Sequence, residues 1–148
     1  PAKGPQEIEK EEEMKVIPGG VKDAPSLTEI RVNAIVEKIQ FDVKKVELKA
    51  GKKVKLTFVN PDFMPHNLVI TKPGTADAVA AAAIALGADG FKKQFLPESD
   101  SILHATKVLE KGQTEILEFN APAEPGEYNF ICTFPGHAVL MRGVMTVK

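Results

Sequence analysis

Beyond Glu29, apolar residues recur at every second position in short runs punctuated by glycine and proline. In Lys53-Val54-Lys55-Leu56-Thr57-Phe58 the apolar side chains share one side of an extended backbone, the pattern of a strand with one buried face. Read this way, β-branched and aromatic residues predict strands at 30–36, 39–43, 46–48, 53–59, 67–71, 105–109, 114–119, 126–132 and 143–147. Ala50-Gly51, Lys111-Gly112 and Glu124-Pro125-Gly126 supply turns between them. Short strands at this spacing predict an all-β, two-sheet Greek-key sandwich. One stretch breaks the alternation. Residues 75–86 carry an alanine run of high helix propensity, with Thr75 placed to cap its start, Asp77 suited to its positive end and Gly87 to stop it. A single inserted α-helix is therefore expected around 75–86.

Residues 1–27 have a different character. They hold Pro1, Pro5, Pro18, Pro25, the pair Gly19-Gly20 and an acidic cluster from Glu9 to Glu13, with four lysines against six acidic residues. This composition reads as a charged tether ahead of one domain at 28–148. A short solvated helix at 7–15 would gain ~0.2–0.5 kcal/mol from each pair such as Glu11 and Lys15. The chain begins at proline, which fits a processed protein or a domain cut from a longer one.

Composition narrows the functional classes. The chain has 148 residues, enough for one domain with a sizeable core. Nineteen basic residues against twenty acidic ones leave a formal charge of −1, which gives no reason to propose a nucleic acid or an anionic membrane as partner. The nine apolar residues at 78–86 fall short of the ~20 that span a bilayer. One cysteine excludes an internal disulfide. Paired carboxylates, a glycine-rich phosphate loop and a serine triad are all without a candidate, so no small-molecule substrate is expected.

The single cysteine is nonetheless the centre of the chemistry. Cys132-Thr133-Phe134-Pro135-Gly136-His137-Ala138-Val139-Leu140-Met141 puts a thiolate, an imidazole and a thioether within ten residues. Alone, Cys132 would read as a small buried hydrophobe, His137 as a loop histidine and Met141 as core packing. Together they suit a trigonal copper site of two histidines and one cysteine with a long axial methionine. Pro135-Gly136 turns the chain so that His137 can meet the metal that Cys132 holds. A second imidazole is needed, and His66 stands at the entrance to the apolar run His66-Asn67-Leu68-Val69-Ile70.

The run from Cys132 to Met141 closely resembles the C-terminal copper-binding loop of azurins and their auracyanin relatives, small blue copper proteins of the cupredoxin fold. Ile39-Gln40-Phe41, the His66-Asn67 pair, His104-Ala105-Thr106-Lys107-Val108-Leu109, Gly112 and the end strand after Arg142-Gly143 follow in azurin-like order. The likeness covers about residues 29–148, and the loop with His66-Asn67 is its specific part. It implies one copper ion bound by His66, Cys132, His137 and Met141. Pro65 stands where azurins have a glycine whose carbonyl approaches the metal, so a weak axial contact from Pro65 is open. Asn67 would tie the two ligand segments together, and the N–H groups of Asn67 and Phe134 would face the sulfur. Ile39, Phe63, Met64, Phe134, Pro135, Ala138 and Val139 would form an apolar collar around His137 where a partner docks. Leu68 replaces the tryptophan common in azurins, and His104, displaced by one position, is expected at the surface without a metal role.

The resemblance implies a single-electron carrier and not an enzyme, cycling Cu(II) and Cu(I) between redox proteins such as a cytochrome c or a membrane respiratory complex. It also implies the periplasm or the outer face of a bacterial membrane, although the disulfide usual in azurins is missing. Two other readings stay open: the electron-entry domain of a larger redox enzyme, with the tether as spacer, and copper storage or delivery. A Cys132–His137 hydrolase would leave His66 and Met141 without a role.

Overall fold

The computed structural model describes residues 16–148. Nine strands, β1 (Gly20–Ala24), β2 (Leu27–Asn33), β3 (Lys45–Leu48), β4 (Lys53–Asn60), β5 (Val69–Thr71), β6 (Ile102–Ala105), β7 (Gln113–Asn120), β8 (Gly126–Ile131) and β9 (Arg142–Val147), form two sheets. One has the order β1-β2-β4-β7 and the other β3-β9-β8-β5-β6. The β2–β4 and β3–β9 pairs are parallel, and the remaining pairs are antiparallel. The sandwich expected from sequence is thus the architecture observed, and one α-helix, α1 (Ala76–Ile84), interrupts it.

Alternation explains the packing. Along β9 every second residue is buried, and along β4 Val54, Leu56 and Phe58 point inward while Lys53, Lys55 and Thr57 do not. Phe41 joins the two layers: its ring lies 5.8 Å from Phe58 of one sheet and 5.3 Å from Phe130 of the other. Ile30, Val32, Leu56, Leu68, Ile70 and Met145 complete this core, and Cys132 and Met141 belong to it. The metal-type side chains are therefore planted at the end of the main core.

Several boundaries differ from the sequence reading, each for a local reason. Residues 39–43 are not a strand; only Phe41 bridges to Ala34, because 35–40 form a turn with Glu37 at φ 64°. The strand expected at 67–71 starts at Val69, since the N–H of Asn67 faces Cys132 Sγ and that of Leu68 donates to Thr106 Oγ1. The strand expected at 105–109 lies at 102–105 instead, since beyond it the N–H groups of Lys107 and Val108 donate to the side chains of Glu115 and Gln94. Thr75 precedes α1, but its hydroxyl donates to the Lys72 carbonyl and leaves the helix end uncapped by a side chain. The helix ends at Ala85, and Gly87 opens a single 3-10 turn (Gly87–Asp89).

Part of the stretch read as a tether belongs to the sheet: Gly20–Ala24 pairs with Leu27–Arg31 across a tight hairpin. The carbonyl of Ile17 accepts bonds from Arg31 Nε and Asn33 Nδ2, so the chain is anchored from there. The acidic cluster and the helix considered at 7–15 lie outside the described residues. Among the described residues no helix is long and apolar enough to cross a membrane.

Candidate metal centre

Cys132 follows the last residue of β8, and Met141 precedes the first of β9. These strands are hydrogen-bonded neighbours, and the bond from Cys132 N–H to the Met141 carbonyl, 3.1 Å, closes the connecting loop at its base. Gly136 takes the left-handed conformation, φ 84°, which a side chain would oppose. The chain then turns through a short 3-10 segment (His137–Val139), which brings the His137 ring back over Cys132.

His66 arrives from the other side. It exchanges two backbone bonds with Leu109, 3.1 and 2.7 Å, outside the regular ladder. Its Nδ1 lies 3.9 Å from Cys132 Sγ, and Nδ1 of His137 lies 3.6 Å from the same sulfur. The three donor atoms lie within 4.8 Å of one another, and the imidazole centroids are 5.0 Å apart. Bonds of ~2.0–2.3 Å to a borderline metal at trigonal angles put donors ~3.7 Å apart. The observed spacing is that of donors on one coordination sphere, so the cluster suits one copper ion.

Burial shapes the charges. His66, Cys132 and Met141 are fully buried, and His137 keeps 5% of its surface. Burial pushes the Cys132 thiol up to about 12, against the pull of the Asn67 and Phe134 N–H groups. His137 is pushed down to about 4, first by burial and then by His66, with Asp62 opposing. Burial also lowers His66, while the hydrogen bond and charge of Asp62 raise it. Both rings are thus kept neutral near pH 7, as metal ligation requires.

Asn67 joins the segment of His66 to that of Cys132. Asn67 Oδ1 accepts the Thr133 N–H at 2.8 Å and its Nδ2 donates to Thr133 Oγ1 at 2.8 Å. Of the expected collar, Phe63 and Val139 are 69% and 78% exposed, and Pro135 is exposed as well. Ile39, Met64 and Phe134 are half-buried, as is Pro65 in the turn before His66. Ala138 differs: it is buried with Val69, Val79 and Ile131, because α1 covers that side of the loop. His104 is half-buried rather than superficial, with its ring stacked on Phe119 at 4.5 Å.

Three features escaped the sequence reading. Asp62 Oδ2 lies 2.8 Å from His66 Nε2, a contact whose only trace in the sequence is a carboxylate four residues before a histidine. Asn60 supports the same turn, donating to the carbonyls of Met64 and Leu109. The segment after α1 folds under the metal loop: Thr133 Oγ1 donates to the Phe95 carbonyl, and Phe91, Phe95 and Phe134 pack edge-on with centroids 5.0–5.7 Å apart. The Phe134 ring in turn lies 4.7 Å from His137.

The family profile of copper binding proteins, plastocyanin/azurin family, matches residues 28–148. The chain is 36% identical over 138 residues to auracyanin-B of Chloroflexus aurantiacus, an alignment covering 88% of this chain and 57% of that longer relative. It is 31% identical over 121 residues to azurin of Pseudomonas fluorescens biotype C, covering 76% of this chain and 92% of the azurin. The structure of dithionite-reduced auracyanin from Roseiflexus castenholzii superposes with a TM-score of 0.74 at 36% identity, over 85% of this chain and 99% of that one. These likenesses take in both sheets as well as the metal loop, and the chain therefore belongs to the plastocyanin/azurin family of copper binding proteins.

Proposed function

We propose that the chain is a single-electron carrier whose one copper ion would be held by His66 Nδ1, Cys132 Sγ and His137 Nδ1, with Met141 as a weak fourth ligand. The observation that carries this reading is the convergence of both Nδ1 atoms on one buried sulfur at 3.6 and 3.9 Å. When bound, copper supplies the one-electron Cu(II)/Cu(I) couple, tuned by the thiolate and its hydrogen bonds. The protein's own contribution is rigidity: sheet backbone, the Asn67–Thr133 clasp and the Leu109 bridge hold the donors in place. Burial of His66, Cys132 and Met141 excludes water from three sides, and the N–H of Asn67 at 3.5 Å from the sulfur stabilises a thiolate there.

His137 is the ligand nearest the surface, and Phe63, Pro135 and Val139 give that end an exposed apolar rim suited to brief docking of a redox protein. A cytochrome c or a membrane respiratory complex outside the bacterial cytoplasm fits this rim and the family. We read the chain as a carrier rather than an enzyme, because the ligand set performs no bond chemistry and the third histidine is committed to Phe119. Buried ligands drawn from two chain segments also favour retention of copper over its delivery. The test is titration with Cu(II): the wild type gains an intense thiolate-to-copper band at ~600 nm. Cys132→Ser abolishes that band. A wild type without it overturns the proposal.

A further inference from the structure

Behind His66, on the side away from Cys132, lies a carboxylate that no ligand rule requires. Asp62 is 1% exposed, and its Oδ2 stands 2.8 Å from His66 Nε2. Its Oδ1 accepts the Glu37 N–H at 3.0 Å, and its own N–H donates to Asn60 Oδ1 at 2.9 Å. Asn60 in turn donates to the Met64 and Leu109 carbonyls, so the carboxylate is fixed from three directions. Glu37, whose N–H is used here, sits in the left-handed turn at φ 64°. A surface acid in a mobile turn would have neither the burial nor the paired acceptors.

We infer that Asp62 is a positioning residue for the copper centre, orienting the His66 ring and setting the balance between its two oxidation states. This rests on the copper reading above. An acceptor at Nε2 keeps the ring proton there and leaves the Nδ1 lone pair free to face Cys132. A full negative charge does more than a neutral carbonyl would: the charge-assisted hydrogen bond is stronger and makes the imidazole a more basic ligand. A more basic ligand and a buried anion both stabilise Cu(II) over Cu(I), so Asp62 lowers the reduction potential.

Two measurements test this. In metal-free wild type, nitrogen-15 NMR of the His66 ring finds the proton on Nε2; a proton on Nδ1 overturns the inference, whatever the copper chemistry proves to be. In Asp62→Asn, which keeps the size but removes the charge, Cu(II) affinity falls ~10–100-fold. Cu(I) affinity falls about tenfold less, which reads as a rise of ~59 mV in the one-electron potential. Glu47→Gln, which removes an exposed carboxylate on β3, leaves the potential unchanged. An Asp62→Asn potential equal to that of the wild type, with the thiolate band intact, overturns the charge role. Loss of the copper reading itself appears separately, as a wild type without that band. Should Asp62→Asn fail to fold, the ring proton in the wild type decides the matter.

Discussion

At Cys132 the protein holds a thiol that burial pushes up to about 12, so in the metal-free chain the sulfur is protonated at neutral pH. Copper uptake then displaces that proton, while His137, held down to about 4, has none to give. About one proton released per copper at pH 7 is the expected result, measurable by calorimetry in buffers of different ionisation enthalpy. Uptake without proton release would show the thiolate already formed. Asn67 offers a second check. Its Oδ1 is the acceptor for the buried Thr133 N–H, and Asn67→Ala leaves that donor unsatisfied. Chemical denaturation of the metal-free variant should show a loss of ~1–3 kcal/mol. Cys132 and His137, which the structure brings together, were legible in the sequence because their chemistry sits within six residues. Asp62 was not, since an aspartate in a turn gains meaning only when folding turns the Nε2 edge of His66 toward it.

Among the elements, the strands expected at 46–48, 53–59, 114–119, 126–132 and 143–147 match within one residue, and those expected at 67–71 and 105–109 do not. At 67–68 backbone donors leave the ladder for a sulfur and a hydroxyl, and at 107–108 for the side-chain oxygens of Glu115 and Gln94, and alternation does not encode that diversion. The segment after α1 was equally hidden. Gly90 meets the Phe95 ring so closely that a Cβ there would overlap it, and this contact seats Phe95 beneath Thr133. Gly90→Ala should displace the ring, broaden the aromatic NMR signals of Phe91, Phe95 and Phe134, and leave the two sheets intact. An unchanged aromatic spectrum would contradict that packing. In the metal loop, Gly136→Ala puts a side chain on a left-handed residue and should destabilise the protein by ~1–2 kcal/mol, seen as a lowered denaturation midpoint.

For the molecule as a whole, the two-sheet core is closed by apolar packing through Phe41, Phe58 and Phe130. Removing copper is therefore expected to leave the far-ultraviolet circular dichroism unchanged, while the unfolding temperature falls because bound metal stabilises the folded state alone. Acid acts on the metal-free protein through His137. Its proton affinity is lower folded than unfolded, so unfolding takes up a proton and stability falls as pH drops from ~6.5 toward 4. Thermal melts across that range test the sign, and a flat profile would refute it. The overall sandwich was readable from the sequence, whereas the parallel pairings β2–β4 and β3–β9 were not, because they join residues that no local pattern connects.

The backbone bond between Cys132 and Met141 has a consequence for how this centre can change. It ties off the whole run 132–141 at a neck between two strands that would stay paired without it. Three of the four proposed ligands thus travel as one cassette, and a graft of different length at that neck would exchange the chemistry and leave the scaffold in place. His66, with Asp62 behind it, is the fixed socket into which any such cassette must fit.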